Sequence, residues 1–458
     1  MSGAILDSIL DTIGATPMVR LSRIGAGLTP SLVAKVESFN PGGSIKDRVA
    51  VALIEAAERE GRLQPGGTIV EPTSGNTGTG LALAARLKGY RVVAVMPDKM
   101  SREKIDLLRA YGAEVVLAPT DVPPDSPRSY YRVADRLERE IPGAFQPNQY
   151  ANPANPQAHY RSTGPEIWEQ TGGAITHLVV GVGTGGTVTG TVGYLRERRP
   201  DLVVVGADPE GSIYSGGEEH VHPYLVEGVG EDFWPQTFDP ATVDRWITVS
   251  DRDAFLAARR LASEEGILAG GSAGLALHAA LTVAAEVRDP QAMIVVILPD
   301  GGRSYLSKVY SDSWMRQYGF LEREAELTVG DVLARKREAG ELPALVTVQP
   351  HQRVRQAVSL LHEHQISQLA VVSASDPSTV VGALGERGLL RHAAEDPALL
   401  DAEVADVMEP PFPAVSDRDP VREAVQLLVG DQQALLVTRD GRTEGLLTRT
   451  DLLEALAR

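Results

Sequence analysis

Leu178-Val179-Val180-Gly181-Val182-Gly183-Thr184-Gly185-Gly186-Thr187 is the stretch on which the fold turns. A β-branched apolar run ends in glycines and passes into a helical pattern. Glycines at a strand–helix junction let backbone N–H groups converge on an anion at a helix N-terminus. The stretch also satisfies G-x-G-x-x-G through Gly181, Gly183 and Gly186, and Asp208 follows the next apolar run, as in a dinucleotide-binding unit. Two features argue for a different anion. Thr184 and Thr187 flank the glycine pair and add hydroxyl donors, which suits a compact dianionic monophosphate. Asp208 leads into Asp208-Pro209-Glu210-Gly211, which reads as a turn rather than a ribose-gripping strand end.

Outward from this loop, residues 30–310 alternate short apolar runs with helical stretches. Strands are predicted at Leu32–Val36, Thr68–Glu71, Arg91–Met96, Glu114–Leu117, His177–Val182, Leu202–Ala207 and Met293–Leu298. Their nearly continuous apolar character predicts burial on both faces. Helices are predicted at Lys46–Glu60, Thr77–Lys88, Arg102–Tyr111, Thr187–Arg198, Asp251–Glu265 and Ala273–Val287. This order predicts parallel α/β sheet.

Three more strand–helix junctions carry chemistry. Pro41-Gly42-Gly43-Ser44-Ile45-Lys46-Asp47-Arg48 places a lysine at a helix N-terminus, where the helix dipole disfavours a cation and so depresses its pKa, as a Schiff-base lysine requires. Glu71-Pro72-Thr73-Ser74-Gly75-Asn76-Thr77-Gly78 clusters hydroxyls, an amide and helix N-terminal N–H groups, a receptor for a carboxylate. Simple N-capping by Ser74 or Asn76 is the alternative reading. Ala269-Gly270-Gly271-Ser272-Ala273-Gly274 opens a further helix. All lie where parallel sheets bind ligands.

The 458 residues hold 44 Lys plus Arg against 61 Asp plus Glu, a net charge of −17, and no cysteine. The length suggests several domains. This sequence therefore contains no disulfide, Cys-ligated zinc, iron–sulfur site, thiolate-ligated haem or catalytic thiol. The acidic balance argues against nucleic acid or an anionic membrane as partner. MSGAILDSIL lacks a basic n-region and no apolar run reaches about 18 residues, so neither a secretory signal nor a membrane span is expected. A cytoplasmic location is the expectation. His362 and His364 lie two apart on a predicted helix, and His220 and His222 lack carboxylates at ligand spacing, so no metal site is expected.

Beyond Phe320 the character changes. Val354-Arg355-Gln356-Ala357-Val358 matches Val421-Arg422-Glu423-Ala424-Val425 at an offset of 67, while Gly382 and Leu389-Leu390 match Gly445 and Leu452-Leu453 at an offset of 63. The first copy thus has a loop four residues longer, within Ser373–Thr379. Neither copy alone buries much core. The expected domains are a core at 1–320, a linker at 321–330, and repeat copies at 331–395 and 403–458.

Together these motifs resemble the fold-type II pyridoxal-phosphate enzymes of β-replacement, the cysteine synthase/cystathionine β-synthase family, and the repeat pair resembles a tandem CBS (Bateman) module. The resemblance covers almost the whole chain. It implies an α/β fold of the tryptophan synthase β type, with two α/β subdomains and pyridoxal 5′-phosphate in the cleft. Lys46 would hold the cofactor as a Schiff base and act as general base and acid. Gly183, Thr184, Gly185, Gly186 and Thr187 match the phosphate cup, Asn76 the partner of the ring 3′-oxygen, and Ser272 the partner of the pyridine nitrogen. Thr73, Ser74, Thr77 and Gln149 would grip the substrate carboxylate. Tyr150 matches a substrate-facing tyrosine, with a packed surface aromatic as the alternative.

Val226-Glu227-Gly228-Val229-Gly230-Glu231-Asp232-Phe233-Trp234-Pro235 resembles the cystathionine-forming branch. Glu231 and Asp232 would receive the amino group of a second amino acid; a solvated turn is the alternative. The implied reaction condenses L-serine with L-homocysteine to cystathionine and water, with cysteine synthesis from O-acetylserine and sulfide as the alternative. A nucleotide sensor without catalysis is the reading from another class. In the repeat pair, Thr448 and Asp451 match a ribose grip, while Gly385 and Gly388 stand at the equivalent positions of the first copy. One adenosyl site is therefore expected, with S-adenosylmethionine as ligand, or else a purely structural module. The resemblance further implies a homodimer or homotetramer and, without cysteine, no haem.

Overall fold

The computed structural model describes residues 5–73, 75–98, 100–123, 125–322, 327–339, 345–395, 398–430 and 432–456. The chain divides into two compact units, Met1–Glu322 and Arg323–Arg458. The first holds two sheets. The larger runs, in spatial order, Met18–Arg20, Ser31–Val36, Met293–Leu298, His177–Gly181, Val203–Pro209 and Arg245–Val249. Every pairing is parallel except the antiparallel edge strand Met18–Arg20. The smaller sheet is parallel throughout, in the order Glu114–Ala118, Arg91–Pro97, Thr68–Pro72, Ala144–Phe145.

The apolar runs become central strands because both faces are covered. Val295 and Ile297 pack with Leu178, Val180 and Val204 on one face of the large sheet, whereas Ile294, Val296 and Leu298 join the helix Gly271–Glu286 on the other. All seven expected strands form, with no end moved by more than two residues. Among the described residues of this unit three more are present: Met18–Arg20, Ala144–Phe145 and Arg245–Val249. The first two are too short to show a pattern, and the third lies on an edge and is only partly buried. Helices Tyr130–Glu140, Ala154–Arg161 and Thr163–Gln170 also add to the expected set. Pro156 disguises the second, though in the first turn of a helix proline breaks no hydrogen bond. One local expectation is corrected: the strand Val203–Pro209 runs through Asp208, so the turn starts after it.

In the second unit each copy builds a three-stranded sheet, Thr347–Val348 with Gln368–Val372 and Val380–Gly385, and Ala414–Ser416 with Ala434–Arg439 and Arg442–Thr448. Each has one parallel and one antiparallel pairing. The helix Val329–Ala339, at the start of the expected first copy, buries Val329, Val332 and Leu333 with Val415, Val421, Leu435 and Leu447 of the second. Reciprocally, Leu399, just before the expected second copy, and Val404 and Val407, at its start, pack with Val354, Leu369 and Leu384 of the first. The swap is legible afterwards as a further repeat, Thr328-Val329-Gly330-Asp331-Val332 against Glu403-Val404-Ala405-Asp406-Val407. Part of the expected linker, 323–326, lies outside the described residues.

Candidate active site

A cleft of about 750 Å³ opens in the first unit, a volume suited to a small-molecule site. Its walls include Lys46, Asn76, Thr77, Gln149, Tyr150, Gly183, Thr184, Gly185, Thr187, Glu231, Asp232 and Ser272. Six separate stretches of the sequence are thereby brought together. Gly186 stands directly behind the cup as the first residue of the helix Gly186–Arg196. Thr73 is buried and does not line the cleft: its Oγ1 accepts the N–H groups of Gly75 and Gly78, both at 3.1 Å, and so closes the loop on itself. Ser74 lies outside the described residues. Thr448 and Asp451 belong to the second unit. There Asp451 Oδ2 accepts the Thr448 N–H at 2.6 Å and hydroxyl at 2.8 Å, and pairs with Lys336 at 3.0 Å.

Lys46 opens the helix Lys46–Arg59. Its ammonium is held down to about 8, and the main cause is burial, while Glu231 and Asp300 pull the other way. The expected depression is present, with desolvation rather than the helix dipole as its leading source. Two residues on, Arg48 is clamped: it donates to Glu37 at 2.8 and 2.9 Å and to Glu166 at 2.6 and 2.8 Å. Buried Lys35 joins the same cluster through Glu166 at 2.7 Å.

The glycine loop is shaped for an anion. Gly185 has φ +80°, and a Cβ there would lie 2.3 Å from that of Phe238. The first N–H groups of the following helix have no intrahelical acceptor. Glycine also lets a second helix approach from behind. A Cβ at Gly190 would meet the Pro156 carbonyl oxygen at 1.9 Å, and one at Gly186 would meet Asn155 Oδ1 at 2.0 Å. From that helix, Ala154–Arg161, two fully buried side chains at i, i+4 reach the cup hydroxyls. Asn155 Nδ2 donates to Thr184 Oγ1 at 3.0 Å, and His159 Nε2 lies 3.2 Å from Thr187 Oγ1. Burial keeps His159 well below its ordinary pKa, hence neutral. The dinucleotide decoy is spent elsewhere, since Asp208 Oδ2 accepts the N–H and hydroxyl of Ser215 at 2.9 and 2.6 Å.

The other walls are pinned as firmly. Thr77 donates its hydroxyl to Gln149 Oε1 at 2.7 Å. Glu71, fully buried, accepts the N–H groups of Asn148 and Gln149 at 2.9 and 3.1 Å. Asn76 Nδ2 donates to Asp300 Oδ2 at 2.8 Å. Tyr150 packs edge-on against Phe233 with centroids 5.2 Å apart, and Tyr131 lies 6.1 Å from each. Beside these rings, burial first and then the charge of Asp232 push Glu231 up to about 8. Glu71, Asn155, His159 and Asp300 are the residues that the sequence reading missed. A lone carboxylate inside the apolar strand Thr68–Pro72 was the one visible signal.

A glycine cup at a helix N-terminus, a desolvated lysine and a buried Ser272 hydroxyl fit pyridoxal phosphate in its three functional parts: phosphate, aldehyde carbon and ring nitrogen. Comparison with known proteins agrees. Residues 9–300 match the family described as pyridoxal-phosphate dependent enzyme, and 339–395 and 404–458 each match the CBS domain. Cystathionine beta-synthase of Rattus norvegicus is 44% identical over 442 residues, 95% of this chain and 78% of the relative. That of Dictyostelium discoideum is 40% identical over 99% of this chain and 92% of its own.

The chain belongs to the cystathionine β-synthase family of pyridoxal-phosphate-dependent enzymes. Solved structures of members and neighbours share the catalytic fold. An O-ureido-L-serine synthase matches at 41% identity and TM-score 0.63, over 68% of this chain and 100% of its own. An O-acetylserine dependent cystathionine beta-synthase from Helicobacter pylori matches at 37% and 0.63, over 67% and 100%. The two CBS matches lie C-terminal to the segment matched by the pyridoxal-phosphate enzyme family.

Proposed function

We propose that this protein condenses L-serine with L-homocysteine to give cystathionine and water, a β-replacement run on pyridoxal phosphate. The observation that carries the reading is the convergence of Lys46, the glycine cup and the Glu231–Asp232 pair on one cleft. When bound, the cofactor supplies the electron sink for charge developing at the substrate Cα. Lys46, with its pKa lowered to about 8, is suited to take the Cα proton and to return one to the departing hydroxide. Thr77, Gln149 and the N-terminus of the helix Asn76–Lys88 receive the serine carboxylate; Thr73 supports that loop from within, and Ser74 completes the proposed set. Asn76 donates toward the ring oxygen. Ser272 offers the ring nitrogen a neutral hydroxyl rather than a carboxylate, which leaves the sink weak and favours elimination. Thr184 and Thr187 add donors to the backbone cup of Gly183, Gly185 and Gly186.

Glu231 and Asp232 receive the homocysteine ammonium, whose charge would ionise Glu231. Tyr150, kept neutral by burial, closes the cleft beside the substrate. In the second unit Thr448 and Asp451 form the proposed adenosyl grip for S-adenosylmethionine as regulatory ligand. The proposed domain bounds follow the sequence reading, with the helix Val329–Ala339 assigned by its packing to the second copy. A cytoplasmic homodimer or homotetramer without haem completes the reading. It is tested by a panel of serine or O-acetylserine against homocysteine or sulfide, with and without S-adenosylmethionine. Cystathionine formed fastest from serine and homocysteine supports it; turnover only with O-acetylserine and sulfide refutes it.

A further inference from the structure

The segment that follows the strand Met293–Leu298 stitches three of the cleft loops together. Ile45 N–H donates to the Pro299 carbonyl at 2.8 Å, and Gly301 N–H to that of Gly43 at 3.2 Å, on the Lys46 side. Gly270 N–H donates to the Asp300 carbonyl at 3.3 Å, and Gly302 N–H to that of Leu268 at 3.0 Å, on the Ser272 side. The Asp300 side chain makes the third link. Only 3% exposed, it accepts from Asn76 Nδ2 at 2.8 Å and from the Tyr305 hydroxyl at 2.6 Å, both at Oδ2.

This geometry dictates which way Asn76 faces. Burial raises the Asp300 pKa, while the charge of Lys104 and the donors Tyr305 and Asn76 oppose the rise; as an ionised acceptor of both bonds the carboxylate meets the Asn76 amide at its nitrogen. That nitrogen carries two hydrogens. One is spent on Asp300; the other is open to the Tyr305 hydroxyl, which interacts with the Asn76 amide, and to an acceptor in the cleft that Asn76 lines. Without Asp300 the amide could rotate and present its oxygen, which would repel a ring oxygen. Tyr305 reinforces the arrangement: burial holds its hydroxyl well above its ordinary pKa, so it stays a donor. Gly270 leaves room for the carboxylate, because a Cβ there would lie 2.2 Å from Asp300 Oδ1.

We propose that Asp300 is a positioning residue for the cofactor ring: it holds Asn76 with an amide N–H turned into the cleft as the donor to the ring oxygen. The inference rests on the proposed role of Asn76. The competing view is that the backbone links alone do the stitching and the carboxylate is filler.

Cofactor-free protein is reconstituted with pyridoxal phosphate, and both the dissociation constant and the position of the visible band are recorded. The variants are Asn76→Ala, Asp300→Ala, Asp300→Asn and the double alanine. Each single alanine should weaken cofactor binding roughly tenfold, the worth of one good hydrogen bond, and move the band in the same direction. The double alanine should be no weaker than the worse single, because one interaction is removed twice. Asp300→Asn keeps an oxygen able to accept both bonds and should stay within about twofold of wild type. Wild-type affinity and band in Asp300→Ala beside an impaired Asn76→Ala would overturn the inference while leaving the Asn76 reading intact, and so would losses that multiply in the double variant. An unaffected Asn76→Ala would remove both. If Asp300→Ala does not fold, Gly270→Ala keeps the carboxylate but displaces it. It should reproduce the Asn76→Ala band, and a wild-type band there overturns the proposal.

Discussion

Replacing Glu71 by Gln should flatten the pH dependence of stability of the catalytic unit. Glu71 is fully buried, and burial pushes its carboxyl from 4.5 up to about 7, although the N–H groups of Gln149 and Asn148 oppose the rise. At roughly 1.4 kcal/mol per pH unit, that rise is worth about 3 kcal/mol. Because the folded pKa lies above the unfolded one, the folded protein binds more protons between pH 4.5 and 7. The contribution is therefore fully present below about pH 4.5 and lost as pH climbs through about 7. Glu71→Gln cannot titrate, so its unfolding free energy should gain on wild type by about 3 kcal/mol between pH 4.5 and 8. All four tryptophans, Trp168, Trp234, Trp246 and Trp314, lie in the first unit. Their fluorescence during urea unfolding at a series of pH values thus reports that unit alone. A difference between the two proteins that stays constant across the range would refute the reasoning, as would one of opposite sign.

Arg48→Met should destabilise the catalytic unit by about 3–5 kcal/mol, because it leaves the buried Glu37 carboxylate without its counter-charge. Urea midpoints check this, and a loss below about 1 kcal/mol would contradict the assigned role of the cluster. Gly185→Ala forces a left-handed residue to carry a Cβ against Phe238. Strain and overlap of about 2–4 kcal/mol should lower cofactor affinity at least tenfold in a reconstitution titration. Glu231→Gln with Asp232→Asn should raise KM for homocysteine and leave KM for serine unchanged; steady-state kinetics with each amino acid varied decides it.

The parallel catalytic fold and most of the cleft wall were legible because parallel strands and their glycine junctions are local signals. Lys46, Asn76, Ser272 and the cup each sit on a short contiguous motif. Thr73 shows the limit of such motifs, since its hydroxyl belongs to the loop rather than to the cavity. The residues behind the wall were not legible. Asn155 and His159 act across a helix contact made possible by Gly186 and Gly190, and Asp300 acts on Asn76 from 224 residues away. Partners so distant in sequence leave no local pattern in either segment. Edge strands such as Arg245–Val249 and the exchanged helix Val329–Ala339 escaped for a related reason, since tertiary packing decides them more than local propensity does.

That exchange has a consequence during synthesis. The helix Val329–Ala339 leaves the ribosome some 95 residues (434 − 339) before the strand Ala434–Arg439 that buries it. At about 5–20 residues per second, its apolar face waits roughly 5–20 s for a partner. The first sheet has the partners of its core once Val407 has emerged, whereas the core of the second needs the waiting helix. A premature stop ahead of Val415 therefore does more than delete the second repeat. It strands Val329, Val332 and Leu333 on an otherwise complete catalytic chain, turning a truncated enzyme into a client for chaperones and proteases.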